Sequence, residues 1–172
     1  MKAKNLVVLA LMTTILLIAQ VGLAVIPNVE LVSLLIIIYT QLYRKQVFYI
    51  IYAFALLEGL LYGFGLWWIM YLYVWTILAG IILWCGNQLS TAMCAVLSGI
   101  FGLFFGLLCS IPYAVVGGWQ SALGYWIAGI PFDIIHCVGN VIVAAVLYKP
   151  IKMILGKLVQ EHEGQLEREK SI

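Results

Sequence analysis

Long apolar runs, separated by short polar or glycine-containing breaks, dominate the first 148 residues. A helix that crosses a bilayer needs roughly 20 mainly apolar residues. The runs that approach or exceed this length cover residues 5–24, 29–43, 46–63, 67–85, 92 to about 116, and 125–148. The pattern therefore predicts an all-α membrane protein, a bundle of about six transmembrane helices. The second run is short, and it spans the bilayer only if its helix begins near Pro27 or if Arg44 and Lys45 snorkel outward.

The character of the chain changes after Tyr148. Residues 149–172 are rich in Lys, Arg and Glu, whereas residues 1–148 contain few charges. We expect residues 1–148 to form a single transmembrane domain. We expect residues 149–172 to form a charged cytoplasmic tail, either a solvated helix end or a disordered segment.

Basic residues flank the runs on alternate sides. They are Lys2, Lys4, Arg44, Lys45, Lys149, Lys152 and Lys157. The intervening connections, residues 25–28, 64–66 and 117–124, contain no Lys or Arg. Because cytoplasmic loops carry the excess of basic residues, this pattern predicts that both termini lie in the cytoplasm. In an alternative interpretation the first run is a cleaved signal peptide, which would leave five spans.

The composition agrees with a bilayer as the main solvent. Hydrophobic residues make up 65% of the chain and charged residues only 9%, against roughly 25% charged in a soluble domain. The chain shows no basic patch, so we predict no nucleic-acid partner. The cysteines, Cys85, Cys94, Cys109 and Cys137, form no C-x-x-C pair, so buried, inert thiols are expected and no metal site.

The motifs of common catalytic sites are missing from the chain. It has no P-loop lysine motif, no H-E-x-x-H and no G-x-S-x-G, which are recognisable signatures of phosphate-binding loops, zinc proteases and serine hydrolases. We therefore predict that the chain is not an enzyme, needs no cofactor and does not hydrolyse ATP by the P-loop route.

Polar residues inside the apolar runs are the candidates for function. Such groups are expensive in hydrocarbon, so they are either paired or functional. Asp133, His136 and Asn140 are spaced i, i+3, i+7 and therefore share one helical face. We predict a ligand or proton site there, beside a kink at Pro131. The alternative is a hydrogen-bonded cluster that only fixes helix packing.

Two further carboxylates lie on the predicted outer side. Glu58 is near the end of the third run, with Tyr62 one turn further on, and its alternative role is that of a water-exposed interfacial residue. Glu30 follows Asn28, and here the alternative is that Asn28 caps a helix while Glu30 complements the helix dipole. The runs contain no Lys or Arg that would pair with these acids.

Aromatic residues are distributed unevenly between the two predicted sides. On the outer side are Trp67, Trp68, Trp75, Trp119 and Trp126, and on the inner side only Trp84. Interfacial belts place Trp at both faces of a membrane, although lipid anchoring remains an alternative for any single Trp. Trp68, Tyr71 and Trp75 form an i, i+3, i+7 stripe, and Tyr113 and Tyr125 flank the last outer loop. The asymmetry predicts an outward pocket for a flat heterocycle or another amphipathic small molecule.

The candidate binding residues are then Glu30, Glu58, Tyr62, Trp68, Tyr71, Trp75, Trp119, Trp126, Asp133, His136 and Asn140. A different role is predicted for one face of the fifth run. This face carries the small residues Ala95, Gly99, Gly102 and Gly106, whose spacing lets two helices approach closely.

Two segments carry a resemblance to a known family. The sixth run reads GIPFDIIHCVGN over residues 129–140 and is followed by Tyr148-Lys149-Pro150, and residues 26–32 read IPNVELV. With six runs and an outward pocket, these segments resemble the substrate-specific S components of energy-coupling factor (ECF) vitamin transporters. The resemblance covers nearly all of the chain before the tail.

The resemblance implies a function, a location and partners. An S component lies in the plasma membrane of a prokaryote, binds a vitamin or related micronutrient from outside, and reorients to release it inside. Its partners are a transmembrane coupling protein and two ATPases, which it often contacts through an A-x-x-x-A pattern on the first helix. Ala10 matches the first position of this pattern, but Thr14 stands at the second.

Other classes of function remain open on the sequence. The chain could be a proton-coupled secondary carrier that uses Glu58 or Asp133 as a relay. A small intramembrane enzyme with Asp133 and His136 as acid and base is a further alternative. The last is an assembly subunit in which the polar cluster is purely structural.

Overall fold

The computed structural model describes residues 3–25, 29–86 and 88–170, and side chains as far as Glu161. The helices within these ranges are α1 (Ala3–Leu23), α2 (Val32–Tyr43), α3 (Val47–Tyr62), α4 (Leu66–Cys85), α5 (Thr91–Leu103), α6 (Phe105–Cys109) and α7 (Ile111–Lys170). A 3-10 turn, Arg44–Gln46, joins α2 to α3, and the described residues contain no strand. The all-α prediction is confirmed. The predictions for Lys2, Pro27 and an Asn28 cap fall outside the described residues.

Four helical stretches in the described part of the chain are long and apolar enough to cross a membrane. They are Ala3–Leu23, Val32–Tyr62, Leu66–Cys85 and Ile111–Glu161. The second stretch contains α2 and α3, but the two helices are separated at Arg44, whose φ of 52° and ψ of −130° are not helical. The chain reverses there, because the start of α2 and the end of α3 lie at the same end of the protein. Taken alone, α2 and α5 have 12 and 13 residues and fall short of the roughly 20 that a straight span needs.

Helix α2 is the centre of the packing. Every residue from Val32 to Gln41 is buried, and the helix contacts α1, α3, α4, α5 and α7. A mainly apolar helix has no face suited to water, so it packs where neighbours surround it. Its buried polar side chains are hydrogen-bonded: Ser33 bonds to Glu30, Thr40 donates to a carbonyl oxygen of the same helix, and Gln41 accepts bonds from α7.

Helices α5 and α7 form an antiparallel hairpin that reverses at Gly118. Gly118 has φ 78° and ψ 175°, a backbone conformation that is essentially restricted to glycine. A Cβ atom on Gly102 would lie 3.0 Å from backbone atoms of His136, and one on Gly106 would lie 2.5 Å from Asp133. The close approach predicted for the small residues of the fifth run is therefore confirmed.

Helix α7 shows which of the two alternatives for the tail applies and where the chain breaks before the sixth span. It continues through Lys170, so the tail from residue 149 to residue 170 is helical. The residue with non-helical dihedral angles is Gly118, and Pro131 lies inside the helix. Packing holds α7 on both sides of Pro131, because Tyr125 stacks on Tyr113 and Asp133 bonds to the backbone of Gly106.

The helices have two distinct ends, which we call the basic end and the cavity end. At the basic end, Asn5, Arg44, Lys45, Leu83 and Val159 line a cleft that joins α1, the 3-10 turn, α4 and α7. Nearby, Lys152 and Tyr148 both bond to Gln41 of α2. The described basic residues that flank the predicted spans therefore collect at one end of the protein.

Candidate functional site

A cavity of about 650 Å³ lies at the cavity end. Its walls come from the last turns of α1, the segment before α2, the first half of α4, helix α6 and the part of α7 that follows Gly118. The polar residues that line it are Gln20, Glu30, Asp133 and His136, and the aromatic ones are Tyr71, Trp75, Phe105, Tyr125 and Phe132. Small residues, among them Ala24, Gly106 and Gly129, leave the space open.

Glu30 connects two helices that are far apart in sequence. Its Oε1 lies 3.2 Å from His136 Nε2 on α7. Its Oε2 accepts a 2.9 Å hydrogen bond from the Ser33 N–H, and the Ser33 hydroxyl also donates to the carboxylate. An acceptor three residues before Ser33 satisfies one of the free N–H groups at the start of α2, as a capping residue does. Glu30 thus caps the helix itself and also fixes His136.

Asp133 reaches the cavity from α7, and only one of its two carboxylate oxygens has a hydrogen-bond donor. Its Oδ1 accepts a 2.9 Å hydrogen bond from the Gly106 N–H, while Oδ2 is buried without a partner. The side chain is 5% exposed. Because Gly106 has no Cβ, the carboxylate can approach the α6 backbone closely. The result is a buried acceptor oxygen beside the cavity, in a protein interior where such atoms are normally paired.

Asn140 has a structural position. Its Nδ2 donates to the Ser98 carbonyl oxygen at 3.2 Å and to Ser33 Oγ at 3.4 Å. It is 1% exposed and is not part of the cavity lining. Of the three residues predicted to share a face of the sixth span, Asp133 and His136 therefore line the cavity, while Asn140 ties α7 to α2 and α5.

Aromatic rings form one wall of the cavity. Tyr71 and Trp75 on α4 have ring centroids 5.5 Å apart, and Phe105 lies 5.7 Å from Trp75 and 5.0 Å from the His136 ring. The Tyr71 hydroxyl accepts a 3.3 Å hydrogen bond from Gln20 on α1. The Trp75 indole N–H is buried and has no partner. The residues that line the cavity therefore include two unpartnered polar atoms, the Trp75 indole N–H as a donor and Asp133 Oδ2 as an acceptor.

A smaller cavity of about 250 Å³ adjoins the first and contains Glu58. It is lined by Glu58, Tyr62 and Trp67, and it shares Gln20, Ala24 and Tyr71 with the main cavity. Glu58 is 2% exposed, and its Oε1 has no partner. The alternative interpretation of Glu58 as a water-exposed carboxylate is wrong, because the side chain is buried between α3 and its neighbours.

Four of the predicted binding tryptophans and tyrosines do not line the main cavity. The Trp68 indole N–H donates to the Ala55 carbonyl oxygen at 2.8 Å, so the ring packs on α3 and not in the cavity. Trp119 is 68% exposed beside the Gly118 turn, and Trp126, partly buried, lines neither cavity. Tyr62 lines only the smaller cavity. The stripe of Trp68, Tyr71 and Trp75 is therefore divided between two environments.

Several residues that line the cavity were not predicted from the sequence. Gln20 was detectable, since an amide near the end of an apolar run is unusual. Phe105, Phe132 and Gly129 were not, because apolar residues that face a cavity have the same composition as those that face lipid. Gly106 was noted for packing, and its second role beside Asp133 depends on a contact between residues 27 positions apart.

Metal binding finds no support in the described residues. They contain no group of three or more His, Cys, Asp or Glu side chains that could hold a metal ion. All four cysteines are free. Cys94 and Cys109 are buried, as predicted, and Cys137 is partly buried. Cys85 is exposed, against the prediction, because it is the last residue of α4.

Trp68→Phe tests the structural position of Trp68. The change removes the indole N–H and leaves the Ala55 carbonyl without this donor, so we expect the free energy of unfolding to fall by about 0.5–1.5 kcal/mol. Thermal unfolding of the purified protein in detergent measures the change. Trp119→Phe is the matched control and should have no effect, since that ring is exposed. Equal stability of the two variants would contradict the assignment.

Comparison of the chain with protein-family models, curated proteins and solved structures finds no match.

Proposed function

We propose that this chain is the membrane-embedded substrate-binding (S) subunit of an ECF-type importer, which captures a vitamin or related micronutrient outside the cell and delivers it inside. The observation that carries the proposal is the 650 Å³ cavity with its aromatic wall and its buried, unpartnered polar atoms. Sites for small molecules are typically cavities of about 300–1,000 Å³ that combine apolar walls with a few placed polar groups.

In this proposal the chain crosses a prokaryotic plasma membrane six times and both termini are cytoplasmic. The collection of Arg44, Lys45 and Lys152 at the basic end supports a cytoplasmic location for that end. Asn5 and Leu83 line the basic cleft, whereas Gln20 and Tyr71 of the same two helices line the cavity. The cavity therefore faces the outside, where a substrate would be captured.

The surface of α1 supports association with a transmembrane coupling protein and two ATPases. Ala10 and Thr14 are both exposed. The Thr14 hydroxyl donates to the Ala10 carbonyl oxygen at 3.0 Å, so its polar group is already satisfied within the helix. The two residues together present a small, flat surface on which another apolar helix can pack closely. ATP hydrolysis by the partners would then drive reorientation of the chain.

A second candidate function is a proton-coupled carrier that works alone. The observation in its favour is that Glu58 and Asp133 each have a buried carboxylate oxygen without a partner, as expected for groups that take up and release protons within a membrane. The two functions differ in their energy source. Uptake by an S subunit requires the coupling protein and the ATPases, while uptake by a carrier persists without them and stops when the proton gradient is dissipated.

Gly129→Leu tests whether the cavity is the binding site. A Cβ on Gly129 would have no neighbouring atom within 4 Å, so a leucine can enter the cavity without displacing the fold. We expect uptake of the transported compound, measured in cells that also express the coupling protein and ATPases, to fall by at least about tenfold. Gly124→Leu is the control, because Gly124 is exposed, outside the cavity lining and equally free of neighbours. Unchanged uptake in Gly129→Leu would place the site elsewhere.

A further inference from the structure

We infer that the cavity is selective for a flat cation, namely a nitrogen-containing aromatic ring that carries a positive charge and an N–H donor at its edge. The inference rests on the proposed function, since it names the ligand class of the same cavity. Three independent properties of the lining support it: its charge, its unused hydrogen-bonding atoms and its aromatic wall.

The charge of the lining is the first property. Glu30 and Asp133 both face the cavity, and the described lining residues include no Lys or Arg. His136 is the one basic group among them, and it is already placed 3.2 Å from Glu30. Asp133 has only the Gly106 N–H opposite one of its oxygens. A cationic ligand places a positive charge opposite the Asp133 carboxylate, whereas an anionic ligand would be repelled by both carboxylates.

The unused hydrogen-bonding atoms are the second property. Asp133 Oδ2 is a buried acceptor without a donor, and the Trp75 indole is a buried donor without an acceptor. Asp133 on α7 and Trp75 on α4 line two different walls of the cavity. Each of the two atoms has less than 1 Å² of accessible surface, so a ligand pairs with it when the side chain rotates toward the cavity. An unpaired buried polar group is costly, and a ligand that pairs it recovers that cost on binding. The ligand that satisfies both atoms has an N–H group for Asp133 and a ring nitrogen or carbonyl for Trp75.

The aromatic wall is the third property. Tyr71, Trp75 and Phe105 line the same cavity as the two carboxylates. Aromatic faces attract cations, and they also pack well against flat rings. A protonated amino heterocycle, or an amidinium-substituted ring that also contains a ring nitrogen, meets the requirements of charge, hydrogen bonding and shape together. A flexible aliphatic amine supplies the charge and an N–H donor, but neither an acceptor for Trp75 nor a flat shape.

The test uses three probes of the same shape and different charge. They are quinoline-6-carboxamidine, which is a cation, quinoline-6-carboxamide, which is neutral, and quinoline-6-carboxylate, which is an anion. The ring nitrogen that all three share offers the same acceptor to Trp75. Binding of each probe to the full-length protein in lipid nanodiscs is measured by equilibrium dialysis. We expect the amidine to bind at least about tenfold more tightly than the amide, and the carboxylate to bind most weakly.

Asp133→Asn is the diagnostic variant because it keeps the shape of the side chain and removes its charge. It should reduce affinity for the amidine by at least about tenfold and leave affinity for the amide nearly unchanged, which also shows that the fold is intact. Glu161→Gln removes a carboxylate that lies ~42 Å further along α7, at 1.5 Å per residue, and should change neither affinity.

The inference and the proposed function fail in different ways. Equal binding of the three probes, preference for the carboxylate, or binding of none of them would overturn the selectivity for a cation. A neutral or anionic compound found bound to the protein from its native membrane would also overturn it, while the substrate-binding role would stand. A protein that neither binds nor transports any small molecule would overturn both.

Discussion

The Glu30→Ala variant is expected to lose about one hundredfold in affinity for the ligand of the cavity while it still inserts into the membrane. The carboxylate is the acceptor for the Ser33 N–H and Ser33 hydroxyl, and it holds His136 at 3.2 Å. Hydrogen bonds to a charged group contribute about 1.5–3 kcal/mol each, and a loss of ~2.7 kcal/mol corresponds to a hundredfold change in affinity. Without Glu30, the His136 ring is free to rotate out of the binding geometry.

Calorimetric titration with the ligand identified from the native membrane measures this effect, and two variants serve as controls. Glu30→Gln keeps an acceptor at the start of α2 and should retain most of the stability while it loses part of the affinity. Glu58→Gln changes a carboxylate of the smaller cavity, outside the Glu30–His136 contact, and should have a smaller effect on affinity. If Glu30→Ala bound as tightly as the unmodified protein, the Glu30–His136 pair would have no part in binding.

The Gly102→Val variant is expected to give the largest loss of stability. A Cβ at this position would lie 3.0 Å from the backbone carbonyl of His136 and the N–H of Cys137, and backbone atoms cannot move aside as a side-chain tip does. Helices α5 and α7 must separate, so we expect destabilisation of about 3 kcal/mol, at the upper end of overpacking effects. The separation would also displace His136 and Asp133 from the cavity.

Thermal unfolding followed by size-exclusion chromatography in detergent measures the loss, and Gly80→Val is the matched control. Gly80 lies in α4, and a Cβ added there would meet no atom within 4 Å, so the same change of residue type should be tolerated. Two variants of equal stability would show that the close approach of α5 and α7 is not required for the fold.

Helices α1, α3 and α4 were predictable because each is a long apolar run, whereas the fifth run, residues 92 to about 116, is divided among α5, α6 and the start of α7. Their ends agree within a few residues for α1, α3 and α4, since Gly63 and Gly86 terminate α3 and α4 where the runs break. The continuation of α7 beyond Tyr148 is one of the two alternatives that the sequence left open, because a charged sequence is compatible both with a solvated helix and with disorder. The reversal was predicted within residues 117–124 and occurs at Gly118. Only its exact position was not predictable, since nothing local distinguishes this glycine from Gly117.

The candidate site was predictable only in part. Asp133 and His136 stood out as ionisable groups in an apolar run, and the structure brings both to one cavity with Glu30. The pairing of Glu30 with His136 joins residues 106 positions apart and has no local sequence pattern. Trp68 bonds to the Ala55 carbonyl oxygen and packs against Phe64, whereas Trp75 lines the cavity. Apolar periodicity cannot reveal such differences, because lipid-facing and buried positions are both hydrophobic.

The most direct test of the central claim is mass spectrometry of small molecules that are extracted together with the tagged protein from its native membrane. The account predicts a stoichiometric heterocycle on the unmodified protein and its loss from Gly129→Leu, with Gly124→Leu still loaded. The absence of any bound molecule, even after incubation with a panel of vitamins and nucleobase derivatives, would contradict a substrate-binding role for the cavity, and so would equal loading of Gly129→Leu.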